Sequence, residues 1–251
     1  MKSTTPVFNS YSRYYDLLYK DKDYVAEADY IQALLIRHGV NSGCLLDLGS
    51  GTGIHGCLLA SRGYNVLGIE RSAEMAKRSA IVDGFTSQQG DIRSIKLGQT
   101  FDAILSIFHV ISYQIENADL TAVFTKASEH LQPGGVFIFD FWYSPAVYSQ
   151  QPSVRVKRMT DTKIEITRLA EPVIFSNQNR VDVNYTIFAR NLISDSVEIT
   201  TETHSMRHFS LPEIDILAVK TGFERIDTEE FLSGKPASDS TWGVCVVLKR
   251  I

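Results

Sequence analysis

Along the first 140 residues, short apolar runs alternate with stretches whose apolar positions recur every three or four residues, the pattern of a parallel sheet with crossover helices. The first helical stretch is Tyr24 to His38, with Val25, Ala28, Ile31, Leu34 and Leu35 on one face and Gly39 as its stop. Strands are expected at Cys44 to Leu48, Asn65 to Ile69, Phe101 to Phe108 and Val136 to Phe141, with a shorter edge at Thr86 to Gln89. Helices are expected between them at Ile54 to Arg62, Ala73 to Ile81 and Leu120 to Leu131. From Ser144 the period changes to two, without helical spacing, through Val154, Val156, Ile164, Ile166, Val181, Val183, Tyr185, Ile187, Val197 and Ile199. Polar clusters such as Ser176-Asn177-Gln178-Asn179 punctuate these runs, so residues 153–209 read as an antiparallel meander of three or four strands. A helix from Leu211 to Thr221, a strand near Glu224 to Thr228 and a buried strand from Gly243 to Lys249 then complete the first sheet. The chain is thus expected to hold a core of residues 1–152 and 210–251 interrupted by the insertion 153–209.

Composition narrows the function classes only in part. The 251 residues carry 25 basic and 29 acidic side chains, a formal charge of −4, which offers no general attraction to nucleic acid. The densest basic cluster, Arg155, Lys157 and Arg158, alternates with Val154, Val156 and Met159 as a strand would. Cys44, Cys57 and Cys245 lack metal or redox spacing and read as reduced, buried thiols. With no apolar run of membrane-spanning length and no leader pattern, the expectation is a cytoplasmic protein, monomer or homodimer, with a small-molecule substrate and neither nucleic acid nor membrane as partner. His204 and His208 are spaced i, i+4 with Glu202 nearby, but on a strand they stand about 13 Å apart, too far to share one ion, so no metal is expected.

Candidate chemistry gathers at the strand ends. Gly51-Thr52-Gly53-Ile54-His55-Gly56 matches G-x-G-x-x-G with Glu70 downstream, which keeps an NAD-dependent oxidoreductase as the reading from another class. The strand boundary better fits the frame Asp47-x-Gly49-x-Gly51-x-Gly53, an acid inside the strand followed by alternate glycines. Asp47 repels a pyrophosphate but attracts an ammonium group, so the loop suits a cofactor with an amino-acid end. Glu70 offers two acceptor oxygens for the hydroxyls of a ribose, and Asp91 can accept from an adenine amine whose ring packs on Ile92.

These residues resemble the class I S-adenosylmethionine-dependent methyltransferases, through Leu45 to Gly53, Gly68 to Ser72 with Met75, Gly90 to Arg93, Phe101 to Ala103 and Leu131 to Gly135. The resemblance implies an α/β, Rossmann-like seven-stranded sheet with an antiparallel last strand, and S-adenosyl-L-methionine as cofactor with S-adenosyl-L-homocysteine as product. The chain is most similar to N,N-dimethyltransferases of nucleotide-linked amino sugars, through Tyr15 to Tyr19, Lys22 to Tyr24, Glu27-Ala28, Gly51 to His55, Trp142 to Pro145 and Arg180 to Val183. In that family the inserted sheet covers the substrate, which implies methyl transfer to the amine of an amino sugar or similar small amine. The alternative within the class is O-methylation of a sugar hydroxyl in polysaccharide or natural-product assembly. By resemblance, Tyr15 meets the cofactor's carboxylate end, Ser50, His55, Arg71 and Ser106 join the cofactor contacts, and Tyr113, then His109, orients or deprotonates the acceptor. Trp142, Tyr143, Arg168, Asn184 and Arg207 are the candidate substrate contacts, Asn184 standing where a histidine is often found.

Overall fold

The computed structural model describes Tyr14, residues 17–79 and residues 82–251. They fall into two compact units, one formed by Asp23–Gln150 with His208–Ile251, the other by Gln151–Arg207 with the described residues of Met1–Lys22. In the larger unit, strands β1 (Gly43–Leu48), β2 (Tyr64–Glu70), β3 (Phe85–Gln89), β4 (Phe101–Ser106) and β5 (Leu131–Trp142) are parallel. The strands β6 (Arg155–Thr160), β7 (Ile164–Phe175), β8 (Arg180–Asn191) and β9 (Val197–Arg207) form the second unit's sheet, and β10 (Phe223–Glu230) and β11 (Gly243–Arg250) return to the first. The seven-stranded order is β10-β11-β5-β4-β1-β2-β3, with β11 antiparallel to both neighbours. This is the α/β sheet with an antiparallel last strand expected from the sequence, accompanied by a separate antiparallel sheet.

Helices α1 (Tyr24–Arg37), α2 (Ile54–Ala60), α3 (Ala73–Arg78), α4 (Asn117–His130), α5 (Ser144–Gln150) and α6 (Leu211–Lys220) belong to the larger unit. Because β1, β4 and β5 are central, their side chains are buried on both sheet faces, which is why they read as near-continuous apolar runs. On one face Leu46, Ile104, Phe137, Phe139 and Val246 pack with Leu120 and Phe124 of α4 and Ile214 of α6. The Phe124 ring meets Phe137 and Phe139 edge-on at 5.4 and 5.3 Å, an arrangement the ring quadrupoles favour. On the other face Leu45, Leu105, Ile138 and Val247 pack with Ile31, Leu34 and Leu35 of α1 and Leu59 of α2. Asp23 caps α1 by accepting from the Ala26 N–H at 2.9 Å.

Several expectations need correction. Ser144–Gln150 is helical, started by Pro145 in its first turn, where period-two alternation predicts none. Cys44 is exposed and Cys57 half-buried, and only Cys245 is a buried thiol. Cys44 is the second residue of β1, at the entering edge of the strand where the sheet is still uncovered.

The smaller unit is a four-stranded sheet in the order β6-β7-β8-β9. One face carries Ile166, Ile187 and Ala189, on which Tyr14 and Leu18 pack. The described N-terminal residues thus pack with this sheet, whereas the sequence pattern groups them with the core.

Candidate active site

In the seven-stranded sheet the chain proceeds from β1 outward to β3 and then crosses back to β4 on the other side of β1. The carboxyl ends of β1 and β4 therefore flank a topological switch point, where open α/β sheets bind ligands. After β1 the loop turns at once. Gly49 (φ 82°) and Ser50 both donate their N–H to the Ile69 carbonyl, at 2.8 and 3.1 Å, tying the loop to the end of β2. A Cβ on Gly49 would stand 2.6 Å from Val110 Cγ1, so only glycine lets the segment after β4 come this close. At Gly51 (φ 58°) the position of a Cβ meets only the Met75 terminal methyl, at 3.5 Å, leaving open space beside the backbone. The buried Ser106 hydroxyl donates to the Leu48 carbonyl at 3.2 Å, joining the ends of β4 and β1.

Glu70 ends β2 with its carboxylate against the same loop, accepting from Gly51 N–H at 3.0 Å and Ser72 N–H at 2.7 Å. Asp47 shares its sheet face, since Asp47 is the register partner of Gly68. The Asp47 carboxyl is buried and accepts no side-chain hydrogen bond among the described residues. Burial pushes its pKa up to about 6, against the pull of His55, with the like charge of Glu70 adding to the rise. An unpaired carboxylate in that position is a built acceptor for a cation. His55 itself is held by Glu27 of α1, with Nε2 2.7 Å from the Glu27 carboxylate.

Asp91 is engaged by a residue that the strand-end pattern overlooks. The Arg93 guanidinium lies against both its oxygens, Nε to Oδ1 at 2.9 Å and Nη2 to Oδ2 at 2.6 Å, and reaches Asp119 through Nη1 at 2.9 Å. That cation holds the Asp91 carboxyl below the usual carboxylate range. Ile92 is buried in the core cluster, Met75 is buried beside Gly51, and Arg71 is exposed.

Beyond β4 the backbone adopts two successive left-handed conformations, at Phe108 (φ 69°) and His109 (φ 61°), before a 3₁₀ turn at Val110–Tyr113. Asp140, buried within β5, takes hold of His109 twice: its Oδ1 accepts from the His109 N–H at 3.0 Å, and its Oδ2 lies 2.6 Å from His109 Nδ1. The imidazole stacks on Phe108 at 5.7 Å and meets Trp142 edge-on at 6.1 Å. Tyr113 is half-buried at the end of the turn, and Tyr143 packs against the core cluster.

Residues 45–135, which contain the glycine loop, Glu70, Asp91, His109 and Tyr113, match a methyltransferase domain family. The dTDP-3-amino-3,4,6-trideoxy-alpha-D-glucopyranose N,N-dimethyltransferase of Streptomyces venezuelae is 29% identical over 89% of this chain and 92% of its own length. The dTDP-3-amino-3,6-dideoxy-alpha-D-glucopyranose N,N-dimethyltransferase of Streptomyces fradiae is 27% identical over 89% of this chain and 86% of its own. In fold, the sugar N-methyltransferase KedS8 of Streptoalloteichus sp ATCC 53650 superimposes with a TM-score of 0.81 at 20% identity, covering 100% of this chain and 99% of that one. The protein is a methyltransferase, and S-adenosylmethionine is the methyl donor that its sequence resemblance implies.

The methyltransferase's own residues fit that cofactor, because the orphaned Asp47 carboxylate suits the cofactor's ammonium and the open side of Gly51 admits a ligand against the backbone. Among the candidate substrate residues, the register separates two groups. Arg168 pairs with Ile187 and so lies on the face carrying Tyr14 and Leu18. Asn184 pairs with Glu171 and Thr203, and Arg207 pairs with Arg180, positions of the opposite face. Asn184 is engaged there, donating to the Glu171 carbonyl at 3.3 Å and accepting from Thr203 at 2.8 Å. His204 contacts Glu202 at 3.0 Å within the small sheet, while in the large unit His208 Nδ1 lies 2.8 Å from the Ser144 hydroxyl. Among the described residues no helix is long and apolar enough to cross a membrane. Tyr15 lies outside the described residues. Sequence reasoning assigned no role in the site to Asp140, Arg93 or Glu27. Asp140 carried a signal nonetheless, as a lone charge within the apolar run Phe137 to Phe141.

Proposed function

We propose that the enzyme methylates the amino group of a nucleotide-linked amino sugar. The observation that carries this reading is that relatives named as dimethyltransferases of such amines align across 89% of the chain, a span that extends well beyond the domain match at residues 45–135. When bound, S-adenosylmethionine supplies a methyl group already activated on a sulfonium, so transfer is an in-line displacement that asks little covalent chemistry of the protein.

The chain's residues then have three tasks. Asp47, Gly49, Ser50, Gly51 and Gly53 hold the amino-acid end of the cofactor, with Ser106 keeping the loop seated by its bond to Leu48. Glu70 retains acceptor capacity for ribose hydroxyls beyond the two N–H groups it already serves, and Asp91, Ile92, Met75 and Arg71 border the adenosine end. His55 supports the loop from its contact with Glu27. At the acceptor side, Tyr113 and His109 follow β4 and hold the amine in line with the methyl group. Trp142 and Tyr143 follow β5 as apolar walls for the sugar, and Arg168 is the favoured contact for the nucleotide's phosphates. Asn184 and Arg207, on the other face of their sheet, do not share Arg168's surroundings. The test is a panel of nucleotide-linked sugars bearing amino or only hydroxyl groups, with S-adenosylhomocysteine release measured. Turnover confined to the amines supports the reading, and turnover confined to the hydroxyl sugars replaces it with O-methylation.

A further inference from the structure

Asp91 is gripped more completely than a surface turn requires. The segment that carries it is tied down: Gly90 donates its N–H to the Glu70 carbonyl at 2.9 Å, and Ile92 and Ile95 are buried in the core cluster on either side of Arg93. A Cβ at position 90 would stand 3.1 Å from Ile69 Cγ2, so the small residue lets the turn seat against the end of β2. Gln89, two residues before Asp91, is the register partner of Glu70, which sets the turn just beyond the residue assigned to the ribose.

Arg93 closes on the carboxylate from within this turn. Oδ1 accepts from the Arg93 backbone N–H at 3.0 Å and from Nε at 2.9 Å, which fills both of its lone-pair positions. Oδ2 accepts from Nη2 at 2.6 Å and, as the long branch of a three-centre bond, from Nε at 3.2 Å. The remaining nitrogen, Nη1, donates to Asp119 in the first turn of α4 at 2.9 Å, so the guanidinium cannot turn away without losing bonds at both ends. Of the roughly four lone-pair positions on a carboxylate, a single one, on Oδ2, stays open among the described residues.

Stability does not account for this arrangement. The side chains of Arg93 and Asp91 are 34% and 30% exposed, and ion pairs so open to water contribute little to folding. The clamp does govern chemistry. Hydrogen bonding by Arg93 first, with a weaker contribution from the charge of Arg71, holds the Asp91 carboxyl below its usual range, so near neutral pH the group only accepts. A 6-amino purine offers it a donor at the exocyclic nitrogen, whereas a 6-keto purine has an acceptor oxygen there and its donor on the neighbouring ring nitrogen. A carboxylate that can rotate turns to whichever donor is present. A clamped one, with a single fixed lone pair, meets a donor at one position alone.

We propose that Arg93 sets the enzyme's preference for a 6-amino purine in its methyl donor, by locking the Asp91 carboxylate in the orientation that accepts the exocyclic amine. Arg93 is a positioning residue, acting through Asp91, and Asp119 steadies its guanidinium from a separate helix. The inference rests on the adenosine end of the cofactor lying at Asp91, as proposed above. Lysine does not replace arginine in this task. The planar fork engages both oxygens at once, whereas an ammonium neutralises the carboxylate without fixing its rotation.

The test is calorimetry of S-adenosylhomocysteine and of its deaminated counterpart, S-inosylhomocysteine, which share the amino-acid end and the ribose and differ only at the purine. The wild type should bind the adenosine compound about tenfold to a hundredfold more tightly. Arg93→Gln should narrow that ratio to about threefold or less, while the ligand-free variant melts close to the wild type. Arg93→Lys separates charge from orientation, and its ratio should narrow almost as far although the positive charge is kept. Asp119→Asn should narrow the ratio by a smaller factor, and together with the lysine variant it still gives the answer if Arg93→Gln does not fold. Wild-type ratios in the Arg93 variants, whatever their absolute affinities, would overturn the proposal, as would a ratio fully kept by lysine and lost with glutamine. Equal binding of the two compounds by the wild type would instead remove the placement of adenine at Asp91 on which the inference rests.

Discussion

Asp47 makes the account quantitative, because it is buried without a hydrogen-bonding partner and its pKa is pushed from 3.8 up to about 6. In the unfolded chain the carboxyl ionises near its ordinary value, so between about pH 4 and pH 6 the unfolded state sheds its proton while the folded state keeps it. Stability from this group is full below the unfolded pKa and is lost as the pH rises through the folded one. A shift of roughly two units corresponds to about 3 kcal/mol of stability forgone at neutral pH. Asp47→Asn removes the buried charge at nearly constant volume. The cofactor-free variant should therefore exceed the wild type in urea denaturation near pH 8 by up to about 3 kcal/mol and lose most of that advantage near pH 4. The same variant should bind S-adenosylmethionine far more weakly, and wild-type affinity should fall as the pH drops below about 6, the value at which Asp47 takes up its proton. A variant no more stable than the wild type near pH 8, with undiminished cofactor affinity, would refute the reasoning that the site stores an unpaired carboxylate for the cofactor.

Other consequences follow from the same geometry. Glu70→Ala removes an acceptor that serves Gly51 and Ser72, and calorimetry should show S-adenosylhomocysteine affinity reduced by about 1.5–3 kcal/mol, whereas equal affinity would discard the ribose assignment. Tyr113→Phe should lower turnover and spare cofactor affinity, and an unaltered rate would return Tyr113 to a packing role. Gly49→Ala places a methyl against Val110 at positive φ, and a thermal melt should show destabilisation together with weaker cofactor binding. If that melt and affinity matched the wild type, the close approach of the two loops would not matter.

Much of the large sheet was legible because its central strands are covered on both faces and end abruptly in glycine or acid. Asp47, Glu70 and Asp91 stood out by position, Asp47 as an acid within an apolar run, Glu70 closing one, and Asp91 just after the short edge strand. What escaped depends on partners distant in sequence or on register. Asp140 is a lone charge inside an apolar run, and only the fold reveals that its carboxylate meets a histidine 31 residues earlier. His55 reads in the sequence as a cofactor contact, and only the fold shows Glu27 of α1 against its Nε2. Arg168, Asn184 and Arg207 all alternate correctly within their own strands, but which of them share a face is decided by the pairing between strands. The helix Ser144–Gln150 is too short to display an amphipathic period, leaving Pro145 as its sole local signal.

The central claim is tested most directly by mass spectrometry of a nucleotide-linked amino sugar incubated with the enzyme and S-adenosylmethionine. The account predicts that the sugar gains one or two methyl groups on nitrogen, with S-adenosylhomocysteine formed in equal number. Methyl groups found on oxygen alone, or on no amino sugar while a hydroxyl acceptor or a peptide amine is methylated, would contradict it.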